Sequence, residues 1–490
     1  MCTEHSNWCC GAGMDRRDFI KTMGVVAASV SMASGELMGA TGPEKAIPRK
    51  KNVPFVRGAF VYPPSEILRK EGYYSWPGSS FDAEGKQKEY VNRLKKMEDK
   101  LAMRIDMEKG SLDTDEDVNK FIHVIKNSKP DGLLLIPFKK GHWGKVIRIV
   151  EETNLPTVIL ATMGVLLMPH VRQIYKRPGV YMINSLDNLD AVEEGMKMIK
   201  VARWMSDARI VNINGKQIVE TIVPIIGTQV RTVPHQMFYD DFKGIKNTDE
   251  VKALAKSYLQ GAKEIVEPSK DDIFEAAKTY FVSKGIIKSQ KADALMMNCL
   301  PGLKRPHQHV PPCMGYMNLR DEGIAMGCES DLDATLTMML LQEFFGKPGF
   351  QHNPSVDTEK NLYFGAHCTS ASKMSGVDGT AEPVILRNHA EAGWGVVPRV
   401  LFKKGQEVTI AKYLSVKKPN ETPQMLIYSG EIVDCPPIPP TGGCRTNVIT
   451  TLNELENVAE LKGHHLILIY GNHAKQLRDF CLLHKIVPKQ

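Results

Sequence analysis

GIAMGCESDLDATLTMMLLQEFFG, residues 323–346, joins a short uncharged run to a helix-spaced apolar series through a cluster of acids. Ile324 to Cys328, bounded by Gly323, reads as a buried strand. Leu332, Leu336, Met339, Leu340 and Phe344 recur at helical spacing, and Gly346 with Pro348 ends the run. A strand that feeds directly into a helix is half of a parallel α/β unit. Ser330 with Asp333 fits an N-cap box, and Asp331 and Asp333 fall in the first turn, where the helix dipole favours negative charge. Glu329 has no such structural duty. It precedes the cap at the carboxyl end of the strand, where open α/β sheets present their ligand-binding groups.

The same alternation runs upstream. VRGAFVY, DGLLLIPF and LPTVILAT read as strands, and EYVNRLKKMEDKLAM and KVIRIVEETN as the helices between them. A helix is expected over Ser185 to Trp204, with Ser185 as N-cap. RIVNING, ETIVPII, the helix SKDDIFEAAKTYF and the strand ADALMMNCL start a second set, which closes near residue 346. Beyond 347 short strands (VILRNHA, WGVVPRVLF, EVTIAKYL, QMLIYSGEIV) are separated by Gly, Pro and Lys/Asn turns. The chain ends in the strand HHLILIY and the helix HAKQLRDFCLLH. The expected fold is α/β. Two consecutive Rossmann-like doubly wound domains span 56–175 and 176–346, and a β-rich, barrel-like C-terminal domain spans 347–490. No G-x-G-x-x-G and no G-x-x-x-x-G-K-[ST] is present, which disfavours nucleotide chemistry.

With 490 residues, 42% hydrophobic and 24% charged, the chain has the composition of an ordinary globular protein with room for several domains. Its net charge of +7 is dispersed, and clusters such as PRKK at 48–51 lack interleaved aromatics, so no nucleic-acid partner is expected. The N-terminus is more specific. Asp15-Arg16-Arg17-Asp18-Phe19 opens a twin-arginine pattern, followed by an apolar run of small residues from Met23 to about Ala33, too short for a stable membrane span. Residues 1–40 therefore read as a Tat export signal, with Met14 a candidate true start, and 41–55 as a linker. Export would carry the protein to the periplasm or another extracytoplasmic space, with the Tat translocation machinery as a transient partner. Outside that segment the cysteines form no C-x-x-C pair, which argues against a structural zinc site. Cys435 and Cys444 bracket a proline-rich loop and are open to either a disulfide or two reduced thiols.

Polar side chains without a structural reason occur at three strand ends: Glu329, His367 with Cys368 in YFGAHC, and His464 with His465 in KGHHLILIY. A carboxylate and two imidazoles match the donor set of Mn²⁺, Co²⁺, Fe²⁺ or Zn²⁺. His307 and His309 form an H-x-H in a proline-rich loop near Cys313, Trp76 in GYYSWPGSS offers an aromatic face to a sugar or to the core, and Arg57 and His142 are uncommitted.

The blocks LRDEGIAMGCESDLDATLTMMLL, FQHNPSVD, FGAHC and KGHHLILIYGNHAKQLRDFCLLHKI resemble the L-fucose isomerase / L-arabinose isomerase superfamily. The resemblance implies a metal-dependent aldose–ketose isomerase of carbohydrate metabolism, using Mn²⁺ and acting by enediol proton transfer on a monosaccharide. It also implies a homo-oligomer. Under it Glu329 matches the first acid, which binds metal and moves a proton. His367 matches a metal-proximal histidine of the arabinose-type enzymes, His465 matches the C-terminal histidine ligand, and Asn353 occupies the place of the second acid; Trp76 and His464 are the candidate substrate-binding residues. Asn353 departs from the family pattern, because an amide oxygen can bind a metal but takes up no proton at neutral pH. Asp357, four residues on, is the candidate replacement catalytic carboxylate if the loop turns at Pro354. The alternative is an exported carbohydrate-binding protein, or a different sugar-processing enzyme, on the same scaffold.

Overall fold

The computed structural model describes residues 51–490, except 72–77, 79, 163–164, 419 and 438–442. The twin-arginine segment, most of the linker and Trp76 lie outside the described residues. Three layers follow in chain order. The first contains β1 (Phe55–Val61), α1 (Ser65–Glu71), α2 (Ala83–Leu101), β2 (Arg104–Met107), α3 (Asp115–Ser128), β3 (Gly132–Pro137), α4 (Trp143–Thr153), β4 (Thr157–Thr162), α5 (Met168–Ile174), β5 (Val180–Ser185) and α6 (Val192–Asp207). Its five strands are parallel, in the order β2-β1-β3-β4-β5. That is a doubly wound order, and a strand such as GLLLIP, buried at every position, is what helices on both faces require. The layer runs past the expected boundary at 175, because β5 pairs with β4 from Val180 to Ser185. Ser185 is therefore a strand residue rather than a helix cap. Its Oγ accepts the Asn188 N–H at 3.1 Å, and the helix begins at Val192.

The second layer holds β6 (Arg209–Ile213), β7 (Val219–Ile222), β8 (Gln229–Val233), α7 (His235–Gly244), α8 (Asp249–Gly261), β9 (Glu264–Ile265), α9 (Lys270–Ser289), β10 (Ala294–Met297), α10 (Leu300–Leu303), α11 (Cys313–Asp321), β11 (Ala325–Cys328) and α12 (Leu332–Phe345). Its sheet has the order β11-β10-β6-β8-β7, parallel except for the β7–β8 hairpin. The third comprises β12 (Phe350–Asp357), β13 (Leu362–His367), β14 (Val384–Arg387), β15 (Val397–Val400), β16 (Glu407–Leu414), β17 (Gln424–Asp434), β18 (Thr446–Thr450), β19 (Leu466–Tyr470), α13 (Ala474–Leu483) and β20 (Val487–Lys489). Strands β16-β19-β12-β13-β18-β17 pair antiparallel in that order, and a β16–β17 ladder closes them into a six-stranded barrel. Closure removes the exposed sheet edges that an open antiparallel sheet would leave. No helix among the described residues is long and apolar enough to cross a membrane.

Helix α12 ties the layers together. Ala334, Leu336, Met338, Met339, Leu340 and Leu341 are all essentially sealed from solvent. They share one core with Met196 of α6, Ala294 and Met296 of β10, and Ala411, Ile467 and Ile469 from the outer wall of the barrel. A helix wedged between two sheets has no solvent face, which explains why LDATLTMMLLQEFF is apolar all round. Two polar contacts fix it against β16: Tyr413 N–H donates to Thr337 Oγ1 at 2.8 Å, and Ser415 N–H to Asp333 Oδ1 at 3.2 Å. The N-cap is Asp331, whose Oδ1 accepts the Ala334 N–H at 2.8 Å, and not Ser330. Ser330 cannot serve because Glu329 and Ser330 both adopt left-handed backbone, with φ of 57° and 53°, to turn the strand into the helix.

Candidate metal centre

The junction between β11 and α12 meets two ends of barrel strands. His367 is the last residue of β13, and His465 immediately precedes β19. Both strands flank β12, and the ladders run Asn353↔Ala366 on one side and His352↔Leu466 on the other. One further step along the second ladder sets Asn353 opposite His465. Barrel register thus brings together residues more than a hundred positions apart in sequence. Gln351, fully buried, braces the junction by accepting the Cys328 N–H at 2.9 Å and donating to the Cys328 carbonyl at 3.2 Å. Its amide stands in for a neighbouring strand on the open side of β11. Buried Arg320 donates to the carbonyls of Met326 and Thr369, tying β11 to the segment after β13.

Glu329 lies between the two rings. His367 Nε2 is 3.5 Å from its Oε1, and His465 Nε2 is 3.5 Å from its Oε2. Donor atoms of the three residues all fall within 4.8 Å of one another. The imidazoles are sealed, with side chains 2% and 4% exposed, whereas Glu329 keeps 38% and can meet a ligand from outside. His367 beside it holds the Glu329 carboxyl below the usual range, against the opposing effect of burial.

The tautomer of His465 is set from behind. Its Nδ1–H donates to Asp331 Oδ2 at 2.9 Å, and Lys412 Nζ reaches the same oxygen at 2.7 Å. Lys412 also donates to the His464 carbonyl at 2.6 Å. Burial alone would raise the Asp331 pKa, but His465 and Lys412 outweigh it and keep the group ionised far below the usual carboxylate range. With Nδ1–H engaged by Asp331, Nε2 is the ring nitrogen left facing the Glu329 carboxylate. Nε2 and the carboxylate oxygen stand 3.5 Å apart, a gap that a shared cation would bridge. Among the described residues, His367 Nε2, His465 Nε2 and Asn353 Oδ1 are buried without a hydrogen-bond partner, as ligand atoms would be. This carboxylate–histidine arrangement, with the imidazole oriented by an acid behind it, fits a divalent ion.

The structure therefore brings together Glu329, His367 and His465, with Asn353 on the adjoining strand. His464 is exposed and stacks on His465, ring centroids 4.1 Å apart. Asp357 does not join them. It pairs with Leu362 at the hairpin end of β12, where its Oδ1 accepts the Glu359 and Lys360 N–H groups, each at 3.1 Å. The strand continues straight through Pro354, so four extended residues separate Asp357 from Asn353 by about 13 Å. The H-x-H is not a ligand pair either. His309 is buried with Nδ1 on the Val310 carbonyl at 2.7 Å, while His307 stacks on Trp394, centroids 4.1 Å apart. Arg57 pairs with Asp106 and Glu108, and His142 with Asp113, all within the first layer. Cys435 and Cys444 are both free thiols. Gln351, Lys412 and Arg320 gave no sequence signal, because the contacts that tie them to the site, to Cys328, Asp331 and Thr369, span long stretches of chain. Asp331 did carry one, but only as part of a helix start.

A cavity of about 320 Å³ is lined by Leu300, Leu303, Lys304, Arg305, His307, His389, Glu391 and Ala392. His389 on its wall feels the charges of both His367 and Glu329.

No protein-family model matches the chain. It is 25% identical over 210 residues to the sulfoquinovose isomerases of Priestia aryabhattai and Priestia megaterium, covering 42% of this chain and 45% of each relative. It is 24% identical over 244 residues to the sulfoquinovose isomerase of a Clostridium species, covering 47% of this chain and 51% of that protein. The chain thus spans about half the length of the curated relatives it matches. Its distant relatives are sugar isomerases.

Proposed function

We propose that this protein is an aldose–ketose isomerase in which Glu329 moves the proton and Glu329, His367, His465 and Asn353 hold a divalent ion, Mn²⁺ by the superfamily resemblance. The observation that carries the reading is the pair of buried, unpartnered Nε2 atoms facing one half-exposed carboxylate. A divalent ion held by these residues would supply Lewis-acid polarisation of the substrate oxygens. The chain supplies the rest. Asp331 fixes His465, the two sealed imidazoles exclude water from one side of Glu329, and Glu329 is the accessible base.

Asn353 cannot relay a proton, and Asp357 is remote from the cluster. One base therefore does both carbon transfers: Glu329 removes the proton from the carbon next to the carbonyl and returns it to the former carbonyl carbon, while the hydroxyl proton passes from the neighbouring substrate oxygen to the carbonyl oxygen. The cavity supports an acidic sugar as substrate. Lys304 and Arg305 line it, beside Glu391, with no ion-pair partner among the described residues, and the relatives are sulfoquinovose isomerases. Export through the Tat pathway and assembly into a homo-oligomer belong to the same reading.

The test is turnover in D₂O with acidic and neutral hexoses, pentoses and deoxyhexoses, on the Mn²⁺-loaded protein. Deuterium should enter next to the carbonyl, with part of the substrate's own hydrogen retained, as a single shuttling base requires. Glu329→Gln should lower exchange by about 10²–10⁴-fold, the usual worth of a general base. Absence of exchange across the panel overturns the isomerase reading. The second reading, a binding protein without chemistry, is favoured by the neutral Asn353. It predicts sugar binding with no deuterium incorporation.

A further inference from the structure

We propose that Cys313, Cys368 and His389 form a second metal site, selective for a thiophilic ion of the Zn²⁺ class, behind the Glu329 centre. The three residues come from the start of α11, the residue after β13 and the loop after β14. Their two sulfurs and a ring nitrogen all lie within 4.8 Å of one another. Neither cysteine is in a disulfide, and both are buried. Two thiolates and an imidazole make a soft-to-borderline donor set, unlike the carboxylate and two imidazoles of the first cluster. Hard divalent ions and zinc would thus be sorted by chemistry between neighbouring sites.

The supporting contacts hold this geometry. Thr369 Oγ1 donates to the Cys313 carbonyl at 2.7 Å, and Arg320 Nη1 to the Thr369 carbonyl at 3.1 Å. The His389 loop is closed by Gly393 N–H on the His389 carbonyl at 2.8 Å. One contact changes on binding: Ala392 N–H now points at His389 Nδ1, 3.2 Å away. Coordination through either ring nitrogen, with the ring's one proton on the other, would give up that single long contact in exchange for bonds to the metal. Each thiol releases its proton to solvent. His389 also lines the 320 Å³ cavity, which gives an ion a path to its ring.

The two sites touch. His367 Nδ1 is 3.4 Å from Cys368 Sγ. A metal-bound Cys368 thiolate accepts the Nδ1–H, and that fixes the His367 Nε2 lone pair toward Glu329. The inner ion would therefore orient a ligand of the outer one.

The test is Co²⁺ and Zn²⁺ titration of the reduced, full-length protein, read by thiolate-to-Co²⁺ charge-transfer absorption and by bound-metal stoichiometry. Wild type should show the charge-transfer band, and so should Glu329→Gln, which disables only the outer site. Cys299→Ser, which removes a buried thiol outside the set, should retain it. The Cys313→Ser/Cys368→Ser double variant should lose the band and one equivalent of Zn²⁺. His389→Ala, at the cavity wall, should weaken Zn²⁺ binding at least about tenfold, keeping the proposal testable should the double variant fail to fold. No band in wild type, a band that survives the double variant, or unchanged Zn²⁺ affinity in His389→Ala overturns the assignment.

Discussion

Asp331→Asn separates the structural and functional duties of one carboxylate. Asn is as good an N-cap as Asp, so the contact to Ala334 N–H survives and the helix start is neutral to the change. What is lost is the acceptor shared by Lys412 at 2.7 Å and His465 at 2.9 Å. Lys412 is 7% exposed and Asp331 17%, so this is a buried pair, and removing one partner costs about 3–5 kcal/mol. Lys412 keeps the His464 carbonyl, which puts the expected loss near the lower end of that range. His465 meanwhile loses the group that fixes its tautomer. Loss of such a supporting carboxylate typically weakens metal binding about 10–100-fold, or about 1.4–2.8 kcal/mol. The assays are urea unfolding of wild type and variant at one pH, and Mn²⁺ titration of each. Midpoint and affinity should both fall. If Mn²⁺ affinity is unchanged while the urea midpoint drops, Asp331 only ties the barrel to the helix, and the orientation of His465 by Asp331 is refuted.

Two further outcomes concern the fold. Ser330 has φ of 53° and a buried hydroxyl without a partner, so Ser330→Gly should relieve about 1–2 kcal/mol of left-handed strain. The greater freedom of glycine in the unfolded chain returns about 0.5–1 kcal/mol, so the net is a gain of up to about 1.5 kcal/mol, read as a higher urea midpoint. A lower midpoint would refute the strain. The second outcome is a pH dependence from His309, whose pKa burial pushes down to about 4. The unfolded chain protonates this ring near pH 6.5 and the folded one does not, so the unfolded state binds the extra proton and stability falls as pH drops from about 6.5 toward 4. At pH 5 the loss is about 2 kcal/mol. His309→Phe, set among Phe238, Tyr239 and Phe242, should remove that part of the pH dependence, and an unaltered slope between pH 7 and 5 would contradict it.

Local patterns were sufficient for much of the architecture. The apolar run GLLLIP and the helix-spaced series after Asp331 identify their elements because burial and helical period act between near neighbours in sequence. Ser330 and Ser185 show the limit. Both look like caps by composition, but strand pairing claims Ser185 and the left-handed turn after β11 disqualifies Ser330. Asp357 shows the same limit in the site: its usefulness depended on a turn at Pro354, and pairing with β13 keeps that segment extended.

Near-neighbour patterns establish a layered α/β protein with a β-rich end and leave Glu329, His367 and His465 without local structural employment. That these three share one point, that Asp331 and Lys412 stand behind His465, and that Cys313, Cys368 and His389 gather beside them emerges in the folded chain. The reason is physical. Periodicity and capping are written within a few residues, whereas convergence is set by barrel register and by a helix packed between two sheets, both of which couple residues far apart along the chain.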